Sequence, residues 1–271
     1  MSEEAWIWVN GRIFPANEAV IRADDSGFTV GEGVFETLLA INGRLWMAER
    51  HHARLASGIT RLGLDLPDFA ECEAASIDLL QRNGLSTGRA RVRWTVSAGS
   101  PGSNNTVVIT AAEASPRPET VALWCVPFTR NERGALAGVK ACAYAENKVA
   151  LAEARRHEAD EALFLNTRGD VCEGASTNVF LVSNGIVRTP ALTSGCLPGV
   201  TREVVLEICA GEGIPFREEA ISPADLEMAD EVFVTSSVRG IVPVRTVDHR
   251  ELKPVPGALT RRLDELLEAT R

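Results

Sequence analysis

Apolar residues in the first hundred positions come in short runs broken by turn signals, and then at helical spacing. Trp6–Val9 reads as a strand entering the turn pair Asn10-Gly11, and residues 34–41 as a longer strand entering a second pair, Asn42-Gly43. Asn-Gly tolerates the left-handed backbone that a tight hairpin needs. A short strand over 45–47 follows. Leu55, Ile59 and Leu62 share one face of a helix over 49–62, residues 70–81 form a second helix, and Arg89–Ser97 a strand. The apolar run 106–111 gives way to 112–120, a polar stretch with two prolines that marks a linker.

Residues 121–127 and 138–143 read as strands, and 146–157 as a helix. Short strands follow at 162–165, 179–182 and 186–189. A helix over 201–212 stops at Gly213, a short helix covers 222–227, Glu231–Ser236 is a strand, and an amphipathic helix over 257–269 closes the chain. The pattern predicts an α+β protein with a domain at 1–112 rich in antiparallel hairpins, a linker at 113–120 and a second domain at 121–271.

With 271 residues the chain is long enough for two cores, and its 45% hydrophobic content is that of a globular protein. A net charge of −9 argues against nucleic acid, which calls for clustered bases. No apolar run approaches a membrane span, and the acidic start Met-Ser-Glu-Glu is unlike a signal peptide, so a cytoplasmic location is expected. Six cysteines without a C-x-x-C pair suggest reduced thiols rather than zinc. Only three of the 28 basic residues are lysine: Lys140, Lys148 and Lys253. A primary amine forms an imine where a guanidinium practically does not, so a lysine in an apolar stretch draws notice here.

Four segments can carry chemistry. Gly138-Val-Lys140 puts a lysine in an apolar, strand-like stretch, which suits a Schiff-base or general-base amine; a strand-end lysine with its ammonium in water is the commoner case for such a spot. Lys148 lies in the first turn of a helix and reads as solvated. Glu173, followed by small residues and then Asn178-Val-Phe180, is turn-like and can aim a carboxylate into a cleft, although exposed turn glutamates are common. Leu197-Pro-Gly-Val200-Thr201-Arg202 opens a helix whose free N–H groups can hold an anion, or Thr201 is a plain N-cap. Thr235-Ser236-Ser237 offers hydroxyls to a phosphate, or is an ordinary polar loop. Arg239 and Arg245 fit a carboxylate contact and a surface position equally.

Taken in order, these segments resemble the fold-type IV (class IV) pyridoxal-phosphate enzymes: branched-chain aminotransferases, D-amino-acid aminotransferases and 4-amino-4-deoxychorismate lyases. The resemblance also covers Asp24-Asp-Ser-Gly-Phe-Thr-Val-Gly-Glu-Gly-Val-Phe-Glu-Thr37, His51-His-Ala-Arg54-Leu55, Glu153-Ala154, Ala159-Asp-Glu-Ala162 and Gly199-Val-Thr-Arg202. It implies a two-domain fold, an N-terminal α/β sandwich and a C-terminal α/β pseudo-barrel, with pyridoxal 5′-phosphate between them, and a homodimer. The family's lysine lies thirteen or fourteen residues before the Glu-Ala pair, and thirteen back from Glu153 is Lys140. The resemblance gives Lys140 the Schiff base and the Cα proton, and Glu173 the pyridine nitrogen. Arg54, Val200, Thr201, Ser236 and Ser237 take the phosphate, Leu197 one ring face, and Tyr144 the ring oxygen as in the branched-chain enzymes. Phe35 falls on the substrate side.

The D-amino-acid enzymes trap a carboxylate with an arginine and a histidine after a strand, and Trp94-Thr-Val-Ser-Ala98-Gly-Ser100 has neither; they also carry tyrosine at the position of Phe35. Branched-chain enzymes are usually longer at the N-terminus. The runs Gly31-Glu-Gly-Val-Phe-Glu-Thr37 and Ser194-Gly-Cys-Leu-Pro-Gly-Val-Thr-Arg202 look most like the lyases, so release of 4-aminobenzoate and pyruvate from aminodeoxychorismate is the first expectation and amino transfer to a 2-oxo acid the alternative. A cofactor-binding protein without turnover is the third reading, opposed by the intact Lys140 and Glu173.

Overall fold

The computed structural model describes residues 5–271, which form two compact units. The first comprises residues up to Ser115 together with Val139–Tyr144; the second comprises Pro116–Gly138 and Ala145–Arg271. The segment carrying Lys140 therefore groups with the first unit, not with the C-terminal domain in which the sequence pattern puts it.

In the first unit β1 (Trp6–Val9) and β2 (Arg12–Pro15) are joined through Asn10 and Gly11, both left-handed with φ 44° and 85°. A single turn, α1 (Ser26–Thr29), precedes β3 (Gly33–Ile41), β4 (Arg44–Leu45), α2 (Ala48–Leu62), α3 (Phe69–Arg82), β5 (Arg89–Ser97) and β6 (Thr106–Glu113). The sheet is antiparallel, in the order β2-β1-β6-β5-β3-β4. The strand expected over 45–47 is cut short: Met47 is left-handed at φ 54° and starts α2. Gly63 ends that helix at φ 67°, as a residue without Cβ does at little cost. The Asp68 carboxylate caps α3 by accepting the Glu71 N–H at 2.9 Å. Val34, Leu38, Ala40, Val92, Trp94 and Val96 turn to one side of the sheet and pack on Leu55, Ile59, Leu79 and Leu80 of the two helices. The resulting two layers share one core.

That core holds an ion pair. Glu36, fully buried between Val34 and Leu38, accepts Arg54 Nε and Nη2 at 2.7 and 2.6 Å and His51 Nδ1 at 2.7 Å. Burial opposes its charge, yet the Arg54 guanidinium and these bonds hold its carboxyl at about 2. Burial pushes His51 down, so its imidazole is neutral and donates from Nδ1.

The second unit contains β7 (Val121–Arg130), α4 (Ala145–Arg156), β8 (Glu161–Asn166), β9 (Val171–Gly174), β10 (Asn178–Ser183), β11 (Ile186–Pro190), α5 (Val200–Gly211), β12 (Phe216–Glu219), α6 (Pro223–Glu227), β13 (Glu231–Ser236), β14 (Gly240–Val247), β15 (Arg250–Glu251) and α7 (Ala258–Glu268). Its sheet runs β12-β11-β10-β13-β14-β7-β8-β9, with β15 on β14 and parallel pairs at β7–β8, β7–β14 and β11–β12. β9 ends that order yet turns directly into β10, Gly174 N–H bonding Thr177 C=O, so the sheet curls into a half-barrel. Val121, Leu163, Leu181, Val234 and Val242 fill one core; Ala150 and Ala154 of α4 pack on Ala122, Ala162 and Phe164 in another. The chain is an α+β protein.

Two expectations change. Residues 138–143 are not a strand: Gly138 is left-handed at φ 73°, and a single bridge pairs Ala141 with Val34. Glu173 sits inside β9, and the turn follows it. The bridge joins Ala141 to a strand distant in sequence, and β9 is defined by its ladder with β8; local periodicity shows neither pairing. No helix among the described residues is long and apolar enough to cross a membrane.

Unfolding returns Glu36 and His51 to their ordinary values of 4.5 and 6.5, so below those values the unfolded chain binds more protons than the folded one. Stability is therefore full above about pH 6.5, falls first as His51 protonates in the unfolded chain, and falls again between pH 4.5 and about 2 as the Glu36 contribution is lost. Urea midpoints measured across this range check it. Glu36→Gln, which removes the counter-charge of Arg54, is expected to cost about 3 kcal/mol at neutral pH and to flatten the limb below pH 4.5.

Candidate active site

Lys140 is placed by backbone hydrogen bonds to the open start of β3. Phe35 N–H donates to Lys140 C=O at 2.9 Å, and Cys142 N–H to Gly33 C=O at 2.8 Å. A Cβ on Gly33 would stand 2.6 Å from Val96 C=O, so only glycine lets the strands approach this closely. Phe35 lies on the sheet face away from the helices. Lys140 Nζ is 4.6 Å from its ring centroid and the Arg93 guanidinium carbon 3.7 Å, while Tyr144 meets it edge-on at 5.5 Å. Arg93, across the β3–β5 ladder from Thr37, donates to Thr95 Oγ1 at 3.1 Å and pairs with no acid among the described residues. Burial pushes its pKa down. Arg54, on α2, is nearly buried and gripped by Glu36. Lys148 and Lys253 are exposed.

In the second unit Glu173 and Asn178 pin Leu197 from both sides. Leu197 N–H donates to Glu173 Oε2 at 2.8 Å, and Asn178 Nδ2 donates to Leu197 C=O at 2.8 Å. Glu173 Oε1 lies 3.2 Å from Arg130 Nε. A Cβ on Gly199 would fall 2.0 Å from Asn178 Oδ1, so the chain passes this point only as glycine. Gly199 is also the N-cap of α5, contributing no capping side chain to the first-turn N–H groups. Val200 and Thr201 are buried there, and Thr201 Oγ1 has no partner. Thr235, opposite Asn178 in the β10–β13 ladder, has a second buried hydroxyl without a partner. Ser236 Oγ accepts the Arg239 N–H at 3.4 Å, and Ser237 C=O accepts Arg271 Nη2 at 3.1 Å. Arg239 is occupied with Ser176 Oγ at 3.0 Å and Glu161 at 3.4 Å, and Arg245 with Asp160 at 2.8 Å.

These residues fit pyridoxal phosphate. A buried helix N-terminus with an orphaned threonine hydroxyl is built for an anion: it lacks a side-chain cap, carries the positive end of the dipole and leaves a polar atom unsatisfied. Within the first unit Phe35, Lys140 and Tyr144 come together around one ring; within the second Glu173, Leu197, Val200 and Thr201 form one continuous arrangement. The sequence reading gave no role of their own to Arg93, Arg130, Asn178, Glu36 and His51, while Thr235 stood in the hydroxyl cluster it singled out. Two had a signal: Glu36 interrupts the apolar face of β3, and Arg93 lies on the polar face of a strand that alternates arginine with apolar residues.

The family model for amino-transferase class IV matches residues 33–247. The chain is 31% identical to a putative branched-chain-amino-acid aminotransferase of Methanocaldococcus jannaschii, over 98% of this chain and 96% of that protein. It is 28% identical to the D-alanine aminotransferase of Bacillus licheniformis, over 96% and 94% of the two chains. Among solved structures, the branched-chain aminotransferase of Thermoproteus uzoniensis superposes with a TM-score of 0.91 at 29% identity, covering 97% of this chain and 93% of that one. A putative 4-amino-4-deoxychorismate lyase of Legionella pneumophila superposes with a TM-score of 0.89 at 26% identity, covering 94% and 97%. With this sheet order, a lysine laid on β3 and an anion site at the start of α5, the chain belongs to the class IV aminotransferase family and is a pyridoxal-phosphate-dependent enzyme.

Proposed function

We propose that the enzyme is an aminotransferase that moves the amino group of an amino acid to a 2-oxo acid. The observation that carries this reading is Arg93, a partly desolvated guanidinium without an acid partner among the described residues, sharing the Phe35 ring with Lys140. Such a cation is stabilised by an arriving carboxylate, which amino acids and 2-oxo acids both carry. The branched-chain and D-alanine aminotransferases among its relatives support the same reading, as does Tyr144, to which the resemblance to the branched-chain enzymes gives the ring oxygen.

Bound pyridoxal phosphate supplies an aldehyde that captures amines and a protonated ring that draws electrons from the bond broken at Cα. The chain supplies the rest. Lys140 Nζ would attach the cofactor and afterwards carry the proton at Cα. Glu173 would serve the ring nitrogen and Leu197 one face of the ring. The Val200 and Thr201 N–H groups, Thr201 Oγ1, Arg54 and the hydroxyls of Ser236 and Ser237 would take the phosphate. Tyr144 would serve the ring oxygen, and Phe35 the substrate side.

A second reading, 4-amino-4-deoxychorismate lyase, is favoured by the Gly31–Thr37 and Ser194–Arg202 runs and by the likeness to the Legionella protein, and its substrate also carries carboxylates. The enzyme loaded with cofactor and given amino acids with 2-oxoglutarate is expected to form glutamate and the matching 2-oxo acids. 4-Aminobenzoate from aminodeoxychorismate, with no amino transfer, would replace the first reading by the second. Lys140→Ala is expected to lose the visible band that borohydride bleaches and to lower turnover at least about 100-fold; an unchanged band would remove Lys140 from the mechanism. Thr201→Val should weaken cofactor binding roughly tenfold in a fluorescence titration, as the loss of one bond to a charged phosphate does.

We also propose a homodimer. Val20, Phe28 and Val30 expose 76%, 76% and 73% of their surface on the segment leading to β3. Light scattering should give twice the chain mass, and Phe28→Asp should shift it toward the monomer.

A further inference from the structure

The carboxylate of Glu173 does not stand alone. Arg130, at the end of β7, reaches it with Nε 3.2 Å from Oε1, an ionic contact outside hydrogen-bond geometry. The guanidinium is fixed on two other sides. Its carbon lies 4.2 Å from the centroid of the fully buried Phe164 ring, and Nη1 meets Glu146 Oε2 at 2.5 Å. Phe164 is the direct ladder partner of Glu173 between β8 and β9. The stack therefore sets the arginine beside the acid through the sheet register itself. β7 reaches that spot by a register shift between Cys125 and Thr129, around Pro127, which has no ladder N–H to give.

The chemistry of Glu173 makes this neighbour matter. A carboxylate next to a protonated pyridine can keep the ion pair, or take the proton and leave two neutral groups. A half-buried setting favours the neutral pair, because desolvation penalises both charges. A guanidinium beside the carboxylate reverses this: the anion is stabilised, protonation would leave Arg130 facing a neutral acid, and the proton stays on nitrogen. The two thiols beside Glu173 do not supply this charge. Cys172 and Cys196 are pushed up by burial and then by the charge of Glu173, so both thiols stay neutral. Leu197 N–H orients Oε2 but carries no net charge. Glu146, on α4, is an acid, and it holds the far side of the guanidinium.

We propose that Arg130 is a positioning residue which, by keeping Glu173 ionised and fixed, holds the proton on the ring nitrogen of the bound cofactor. The inference rests on the reading of Glu173 given above, and the test separates the two. The probe is pyridoxal phosphate labelled with nitrogen-15 in the ring, bound to the full chain, with the nitrogen chemical shift followed against pH. In the unmodified enzyme the signal stays at the protonated position across the stable range. Arg130→Met, which keeps the stem against Phe164, should move the nitrogen signal toward the unprotonated position at neutral pH, as a roughly tenfold or larger fall in the ratio of ring-protonated to acid-protonated pairs does. Arg130→Lys returns the charge and should restore most of that shift; Arg130→Gln serves if the methionine variant does not fold. A titration of Arg130→Met or Arg130→Gln that overlays the unmodified enzyme overturns the proposal. So does a lysine variant as altered as the uncharged ones, since the effect would then be one of packing. Glu173→Ala is the companion: if its signal moves and that of the arginine variants does not, Arg130 alone is misassigned; if its signal does not move either, the role of Glu173 falls as well.

Discussion

Two backbone hydrogen bonds, Phe35 N–H to Lys140 C=O and Cys142 N–H to Gly33 C=O, decide where Lys140 stands. Each contributes only about 1 kcal/mol net. Their weight comes from what they are tied to. β3 is paired with β5 at nine successive positions from Gly33 to Ile41, so its remaining edge is a rigid template. Side chains alternate along such an edge, and a slip of one residue would turn Lys140 to the opposite face. The contacts that define the amine's surroundings, the Phe35 ring and the Tyr144 ring edge, follow from that register. Small residues maintain it. Gly33 lies against Val96, and Gly58 of α2 leaves room for Val34 and Val139, where a Cβ would stand 3.0 and 3.4 Å from their methyl groups.

The second unit transfers sheet precision to a loop by a different route. Leu197 has no strand to join, so its N–H and C=O are taken by two side chains, Glu173 and Asn178, projecting from β9 and β10. Both strands lie in the curled sheet, and both contacts are 2.8 Å. Two residues further on, Gly199, to which Asn178 allows no side chain, caps the start of α5. A loop held at this many points presents the N-terminus of its helix in a fixed direction, so the orphaned Thr201 hydroxyl and the first-turn N–H groups need not reorganise to receive an anion.

The sequence pattern disclosed most of this fold because most of its elements are locally consistent. The Asn-Gly hairpins, the amphipathic α2 and α3, the Ser222 cap of α6 and the closing α7 each carry their own signal. What it concealed depends on long-range partners. β12 and β14 are completed by pairing with β11 and β7, strands distant in sequence, and the 138–143 run looks like a strand although tertiary contacts allow only a bridge. The same division holds for the site. Lys140, Glu173 and Thr201 stand in motifs that sequence order exposes. Arg130 and Asn178 act through geometry: one reaches its acid by a register shift, the other by reaching back to a loop nineteen residues later.

The imbalance between arginine and lysine gains a structural meaning at this point. Three sheltered acids of the two units are met by arginine: Glu36 by Arg54, Glu161 by Arg239, Glu173 by Arg130. Arginine suits that task, because it stays charged when desolvated and its planar fork can grip a carboxylate and stack on a ring at once. Lysine would serve poorly there, since burial readily strips its proton. That liability is the property a covalent amine needs: only the neutral form attacks an aldehyde. Of the three lysines, Lys148 and Lys253 are exposed, and Lys140 alone is partly sheltered, with Nζ 4.6 Å from the centroid of the Phe35 ring. A chain that meets these buried acids with arginine gives the charges that must persist to a guanidinium and leaves its few amines for other work.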